Sequence, residues 1–168
     1  SLIATAGRTT LAMALRGSRS KRVLQHDVES ARGYGHFAGV AQDDVLARID
    51  ALIADGILRL EYHDGFPLLA YSDRGLQLAM RYAAEEWLTV LRAQVPTVRG
   101  GAPLELPLVM ADIQNRNQNT VLLLAEMVGN EADSDWLLLL RLWAARETRR
   151  VRARLHAIIT ALETKAAG

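Results

Sequence analysis

Apolar positions near the start of the chain recur at the spacing of a helix and predict two short helices. The first helix covers Thr9–Arg16, with leucines four residues apart on one face, and Gly17 ends it. The second helix runs over about Lys21–Ala31, where either Ser18 or Ser20 can cap the first turn. Glycines then interrupt the pattern, which predicts a loop.

A third helix and a hairpin are predicted next. The third helix begins near Gln42–Asp44, and its acidic first turn suits the positive end of a helix. Two short apolar runs, around residues 57–60 and 68–71, predict strands. His63-Asp64-Gly65 between them is typical of a hairpin turn. A fourth helix is predicted over about Gly75–Gln94.

The second half of the chain continues with helical patterns. Residues 96–107 hold three of the four prolines and a glycine pair, which predicts a linker. Helices are expected at Leu108–Val128 and Ser134–Leu162. The order of elements is that of a winged helix, a helix-turn-helix with a β-hairpin wing. We therefore predict a mainly α fold with a small β-wing, in which a winged helix-turn-helix over residues 1–95 precedes a C-terminal helical hairpin over residues 108–164.

The composition is that of a chain with a packed core. Of 168 residues, 50% are apolar and 23% are charged, which argues against a disordered chain. The absence of cysteine excludes disulfides, thiolate metal sites and cysteine nucleophiles. The longest apolar run, Trp136–Leu140, is far shorter than the ~20 residues of a membrane helix. Arg8 interrupts any signal-peptide pattern, so we expect a cytoplasmic protein without a membrane partner.

The net charge of +1 conceals two basic segments. Residues 1–37 carry six basic and two acidic side chains, and residues 141–154 carry six arginines and one glutamate. The remaining segments are acidic. Clusters of this kind are candidates for contact with nucleic-acid phosphates.

Four motifs carry a resemblance to a known family. The most specific is Leu15-Arg16-Gly17-Ser18-Arg19-Ser20-Lys21-Arg22-Val23, which resembles the RQC domain, the winged helix that follows the motor of RecQ-family helicases. Tyr34-Gly35 is similar to the Tyr-Gly or Phe-Gly of that family, and Ile49–Leu58 resembles its third helix and the exit into the wing. Tyr71-Ser72-Asp73-Arg74-Gly75 resembles the Leu-Thr-x-x-Gly that ends the second wing strand. The resemblance covers about residues 7–83.

The resemblance implies a protein that binds the ends or forks of duplex DNA. In RQC domains the residues that match Arg16, Ser18 and Arg22 bind the DNA backbone. In some of them an aromatic residue at the wing tip, here Phe66, separates the terminal base pair. The chain has neither a Walker A sequence nor a DEAH-like box, and no zinc-binding cysteines precede the winged helix. It therefore resembles a stand-alone RQC-like DNA-binding protein, or a fragment of a larger one, rather than a helicase.

The chemistry of the first helix boundary also indicates a phosphate ligand. Gly17 allows a tight turn, and the serines offer hydroxyl and backbone N–H groups at a helix N-terminus. Cationic side chains surround them. The alternative is a capped helix whose basic turn is merely solvated. The residues predicted to contact DNA here are Arg16, Ser18, Arg19, Ser20, Lys21 and Arg22.

Two more residues complete the predicted contact. Phe66 lies beside a tight turn, where it either stacks on a base or folds back onto the fourth helix. Arg48 is the cation near the start of the third helix, where Asp43 and Asp44 would repel phosphates. Because backbone contacts position a protein without specifying a sequence, we expect little sequence specificity.

The last predicted helix has a basic face and an apolar face. Its arginines either contact DNA as a second site or form a solvated face; they are Arg146, Arg149, Arg150 and Arg154. The apolar stripe either packs on the preceding helix or forms a homodimer seam; it consists of Leu137, Leu140, Trp143, Val151, Leu155 and Ile158. A dimer would favour an alternative function, a winged-helix transcription regulator that reads two half-sites. A module that binds a partner protein is a third alternative.

No set of residues predicts an enzyme or a cofactor. The four histidines do not form His-Glu-x-x-His or the histidine and aspartate order of metal phosphohydrolases. A Gly-x-Ser-x-Gly nucleophile motif is also absent. We predict a DNA-binding protein with no catalytic residue, no metal and no cofactor.

Overall fold

A computed structural model describes residues 3, 6–25, 29, 33–101 and 117–166 of the chain. The chain divides into two compact units, Ser1–Leu78 and Ala79–Gly168. The division lies inside the fourth helix, and the domain bounds at residues 1–95 and 108–164 stay a prediction. Each unit has its own apolar core.

The first unit has the predicted order of three helices, a hairpin and the start of a fourth helix. Its α2 ends at Leu24, Gln25 and Glu29 lie in turns, and the other residues of the predicted second helix lie outside the described residues. The elements are α1 (Arg8–Leu15), α2 (Lys21–Leu24), α3 (Gln42–Ala54), β1 (Leu58–His63), β2 (Phe66–Tyr71) and the first turns of α4 (Asp73–Arg99).

The wing is an antiparallel hairpin with a two-residue turn. Its register runs from the pair Leu58 and Tyr71 to the pair His63 and Phe66. Asp64 and Gly65 connect the strands with φ values of 49° and 81°. Positive φ at both positions is the signature of a type I′ turn, which suits the twist of a hairpin. The predicted turn is confirmed, and the strands extend to its edges.

The core of the first unit lies between α1, α2, α3 and the wing. Leu11, Leu58 and Leu69 occupy predicted apolar positions, and three buried alanines are core residues that the pattern did not indicate. Leu52, on the predicted apolar face of the third helix, is exposed. Thr10 of α1 is a buried polar residue of this unit. The fully buried apolar residues are Ala12, Ala14, Val23, Val45 and Leu69.

The junction between the wing and α4 depends on Ser72 and Gly75. The Ser72 hydroxyl accepts a hydrogen bond from the backbone N–H of Gly75 at 2.9 Å, as a helix N-cap does. It donates to the carbonyl oxygen of Gly56 at 2.5 Å. A Cβ atom at position 75 would lie 1.9 Å from the carbonyl oxygen of Ile57, so glycine is required there. Helix capping by Ser72 and the close contact at Gly75 therefore explain why these two residue types occur at this spacing.

Helix α4 is longer than predicted and includes the start of the predicted linker. Pro96 lies inside it and lacks the N–H that would bond to the carbonyl of Arg92. Val95 and Val98 on either side of the proline are nevertheless buried in the core of the second unit. Their burial favours continuing the helix to Arg99. Residues 102–107 of the predicted linker lie outside the described residues.

Within its described residues, the second unit contains the rest of α4, three further helices and a 3₁₀ turn (Ser134–Trp136). The further helices are α5 (Gln118–Glu131), α6 (Leu137–Ala144) and α7 (Arg149–Ala166). The side chain of Asn117 caps α5 by accepting from the N–H of Asn119. Residues 108–116, where α5 was predicted to start, lie outside the described residues.

The single helix predicted over Ser134–Leu162 is wrong, because a corner at residues 145–148 divides it. The buried carboxylate of Glu147 accepts a hydrogen bond from Nε1 of Trp143 at 2.8 Å. The guanidinium of Arg152 donates to the Glu147 carbonyl oxygen at 2.7 Å. These bonds stabilise the corner. Apolar residues recur at helical spacing on both sides of it, so periodicity alone shows one helix.

The apolar stripe predicted for this region lies inside the core of the second unit. Trp143 and Leu155 are fully buried, and α7 packs against both α5 and α6. The stripe therefore packs on the preceding helix, which is one of the two predicted alternatives. The side chains that a homodimer seam would need are already buried in this core. Among the described residues, no helix is both long and apolar enough to span a membrane.

An exposed ion pair links α4 to the end of α5 within this unit. Nε of Arg92 donates to Oε1 of Glu131 at 2.7 Å, and a second bond joins the same two side chains. The hydrogen bond to Glu131 raises the pKa of the Arg92 guanidinium above its ordinary value. The Arg92 guanidinium therefore stays charged throughout the neutral range.

Candidate nucleic-acid interface

The turn between α1 and α2 is held by a glycine in a left-handed conformation. Gly17 has a φ of 76°, its N–H donates to the Ala14 carbonyl, and the N–H of Ser18 donates to the Met13 carbonyl, each at 2.9 Å. This pair of bonds is a Schellman motif. It ends α1 and reverses the chain directly before the basic residues.

A loop over residues 33–40 packs against this turn. The N–H of Gly35 donates to the Ala14 carbonyl at 3.0 Å, and a Cβ on Gly17 would lie 3.2 Å from the Cα of Gly35. The Tyr34 hydroxyl lies 3.2 Å from the carbonyl oxygens of both Gly17 and Ser18 and donates to them. The two glycines thus allow a close approach of backbones, and Tyr34 secures it.

Arg16 has a structural contact in addition to its predicted role. Its Nε donates a hydrogen bond to the Val40 carbonyl oxygen at 2.7 Å, and the side chain is half-buried. The two terminal nitrogens have no hydrogen-bond partner among the described residues. One edge of the guanidinium therefore holds the 33–40 loop, and the other is available to a ligand.

The serines of the turn organise the backbone before α2. The Ser18 hydroxyl accepts from the N–H of Ser20 at 3.3 Å. Ser20 occupies the predicted N-cap position of α2, but its side chain makes no cap hydrogen bond. Its hydroxyl is exposed.

The cations that follow are exposed. Arg19 lies 3.7 Å from a carboxylate oxygen of Glu29, and its side chain is 82% exposed. An exposed pair of this length contributes between zero and about 1 kcal/mol to stability. Lys21 and Arg22 have no ion-pair partner in the part of the chain that the structure describes. This turn therefore presents positive charge that the described fold does not neutralise.

The third helix begins with a negative surface, as predicted. Asp43 and Asp44 are exposed in its first turn. Arg48 lies over the ring of Phe37, with its guanidinium carbon 4.9 Å from the ring centroid. That contact directs Arg48 towards the 33–40 loop.

The wing tip carries two exposed aromatic side chains. Phe66 is 71% exposed, so its ring is not buried against another element. Tyr62 is 73% exposed and was not identified from the sequence. It lies on the same face of the wing as Leu58 and Leu60, because alternate residues of a strand share a face. The sequence signal that could have identified Tyr62 is this alternation, because Tyr62 follows Leu58 and Leu60 at the same two-residue spacing.

A cleft beside the wing brings together residues from three parts of the first unit. Its volume is about 550 Å³, and it includes two predicted DNA contacts, Arg22 and Phe66. Arg8 also lines it, and its guanidinium bonds to Oδ1 of Asp50 at 2.7 Å. We call it the wing cleft; its lining is Ala6, Gly7, Arg8, Thr9, Thr10, Arg22, Gln25, Leu60, Tyr62, Phe66, Pro67 and Leu68.

The second basic face lies in the second unit. Arg149, Arg150 and Arg154 are exposed on α7, and Arg146 is exposed in the corner before it. Among the described residues, no group of three or more histidine, aspartate or glutamate side chains is placed to hold a metal ion.

Comparison with known proteins gives one match. The family model of the RQC domain matches residues 3–89, slightly more than half of the 168 residues. The matched segment includes the basic turn, the wing and the start of α4. No curated protein and no solved structure gives a significant match.

Proposed function

Because this chain belongs to the RQC domain family, which is a family of non-catalytic DNA-binding domains, we propose that it binds duplex ends or forks through phosphate contacts with low sequence specificity. The observation that carries the proposal is the fixed basic turn, in which Lys21 and Arg22 are exposed without a described ion-pair partner. Uncompensated cations on a rigid turn are suited to phosphate oxygens.

The proposed phosphate site is built from side chains of one turn. Arg16 contributes the guanidinium edge that has no described partner, Ser18 and Ser20 contribute hydroxyl groups, and Arg22 contributes an exposed guanidinium without a partner among the described residues. Arg19 and Lys21 increase the local positive potential. Counterion release on binding makes such contacts salt-dependent, with a slope of about −0.9 in log K against log salt for each phosphate neutralised.

Low specificity is supported by the surface of α3. In many helix-turn-helix proteins this helix enters the major groove. Here its first turn carries Asp43 and Asp44, and Arg48 is held over Phe37. Base recognition by this helix would place two carboxylates near phosphates, so we propose that α3 does not enter the groove.

The wing is proposed to contact the terminal base pair of the duplex. An exposed Phe66 at the tip can stack on the terminal base pair, and stacking of a base on an aromatic side chain is worth about 1–3 kcal/mol. Arg22 and Phe66 line the same cleft, which supports simultaneous contact with a phosphate and a base.

The arginines of the second unit are proposed as an auxiliary DNA contact. Arg149, Arg150 and Arg154 are exposed on a helix whose opposite face is buried in the core. They would add non-specific affinity through phosphates. The dimeric regulator is not supported by the apolar stripe, because the unit's own core buries it. A partner-binding module becomes the better proposal if DNA binding is absent.

The proposal is tested by comparing the salt dependence of Arg22→Ala with that of the unaltered chain. We expect lower affinity for duplex DNA and a slope shallower by about one unit. Arg81→Ala is the matched control, because Arg81 is 68% exposed but already pairs with Glu85. If Arg22→Ala binds as tightly as the unaltered chain at every salt concentration, the phosphate site is wrong.

A further inference from the structure

We infer that the wing cleft binds a single unpaired nucleotide at the end of a DNA strand, with its base against Tyr62 and Pro67 and its phosphate near Arg8 and Arg22. This inference rests on the proposed DNA-binding function and adds a ligand and contacts to it. The volume of about 550 Å³ falls in the range of small-molecule sites.

The charges of the cleft select an anionic ligand. Arg8 and Arg22 are its charged lining residues among those that the structure describes, and no described aspartate or glutamate lines it. Asp50 pairs with Arg8 through one guanidinium nitrogen, with both side chains 46% exposed. Such a half-exposed pair positions Arg8 at little energetic cost and leaves its other donors for a phosphate. Arg22 has no competing carboxylate among the described residues.

The face of the wing that carries Tyr62 suits a planar base. Tyr62 is 73% exposed, although rings of this size are normally buried, whereas Phe66 pairs with His63 and lies on the opposite face of the hairpin. Tyr62 pairs with Pro67 across the hairpin, so a base placed there would rest on a continuous apolar surface. Exposed aromatic rings beside cations are the arrangement by which proteins bind single-stranded nucleic acid.

Polar groups at the cleft provide contacts for the remainder of a nucleotide. Thr9 of α1 and Gln25 after α2 both line it. Hydroxyl and amide side chains can bond to sugar oxygens or to base edges. Inside a duplex a base is covered by its stacked neighbours and its pairing partner, so only its edges are open, whereas an overhanging base is free to enter a cleft. The ligand is therefore an unpaired residue rather than a base pair.

The test compares the affinities for a blunt duplex and for the same duplex with one overhanging nucleotide, by fluorescence anisotropy. We expect the overhang to bind about fivefold or more tightly, because a stacked base is gained. An abasic overhang should retain the phosphate and lose most of this preference. Tyr62→Leu should reduce the ratio towards one, and Tyr62→Trp should preserve it.

The control variant is Tyr82→Leu, which removes another tyrosine, 63% exposed, that does not line the cleft. It should leave the overhang preference unchanged. If the unaltered chain binds both duplexes equally and with normal salt dependence, the DNA-binding function stands and the nucleotide site is refuted. If it binds neither duplex at low salt, the proposed function itself fails, and the site fails with it.

Discussion

The Nε atom of Arg16 lies 2.7 Å from the carbonyl oxygen of Val40 and donates a hydrogen bond to it. This bond connects the end of α1 to the loop that precedes α3. Arg22 lies six residues later in the same basic motif and is exposed without a described partner. The motif gives both arginines the same predicted role, but the fold distinguishes them. Arg16 also stabilises the loop beside the basic turn, whereas Arg22 makes no described structural contact.

Arg16→Ala is expected to lower thermal stability as well as DNA affinity. Loss of the bond leaves the half-buried Val40 carbonyl without this donor, at a cost of about 1 kcal/mol in the free energy of unfolding. Arg22→Ala should lower affinity without this cost, because its side chain makes no described hydrogen bond. Thermal unfolding of both variants checks the difference. Equal melting temperatures for Arg16→Ala and the unaltered chain would contradict it.

Phe66→Ala is expected to weaken the preference for forked over blunt DNA while duplex affinity is largely retained. The ring is 71% exposed, so its removal should change the free energy of unfolding by less than about 0.5 kcal/mol. Competition binding with forked and blunt duplexes measures the preference. A fork preference equal to that of the unaltered chain would exclude the wedge role.

Gly75→Ala is expected to destabilise the first unit strongly. The added Cβ would lie 1.9 Å from the Ile57 carbonyl oxygen, which is backbone and cannot rotate away. Overpacking of this kind typically costs about 1–3 kcal/mol and occasionally more. Gly100→Ala, whose Cβ would lie 3.4 Å from its nearest neighbour, is the control. Urea unfolding with equal midpoints for both variants would show that the wing–α4 junction is misassigned.

Glu147→Ala is expected to destabilise the second unit more than Glu147→Gln. The alanine leaves Nε1 of the buried Trp143 without its acceptor, which costs about 1–3 kcal/mol. Glutamine retains an oxygen at that position and should recover part of the loss. Chemical unfolding followed by tryptophan fluorescence compares the two. Equal losses would mean that the corner depends on shape rather than on this hydrogen bond.

The elements of the first unit are predictable because local rules determine them. Asp64-Gly65 adopts the two positive φ values that a hairpin turn of two residues needs, and Gly17 adopts the one that a helix end needs. The RQC-like motif around Gly17 likewise lies on a rigid turn. Local chemistry and fold therefore agree there.

Two features of the second unit are not predictable from local rules. Pro96 normally ends a helix, but α4 continues because Val98 is buried among distant residues. The corner at residues 145–148 depends on one buried glutamate, and the apolar spacing runs through it without interruption. Tertiary packing decides both cases, and a single sequence does not display it.

The wing cleft is a third feature of this kind. Arg8 and Tyr62 come from opposite ends of the first unit in sequence, and only the fold places both beside Arg22 and Phe66. The basic motif pointed to part of the site. Tyr62 could not be identified in the same way, because the sequence does not show at which residue of β1 the buried face becomes exposed.

The most direct test of DNA-end binding is fluorescence anisotropy with forked, blunt and single-stranded DNA of one length at two salt concentrations. We predict preferential binding to forks or blunt ends that weakens with salt. With about four or five phosphates neutralised, the slope of log K against log salt should be roughly −4. Absence of binding to all three DNAs at low salt would contradict the account and favour a protein partner or a specific operator.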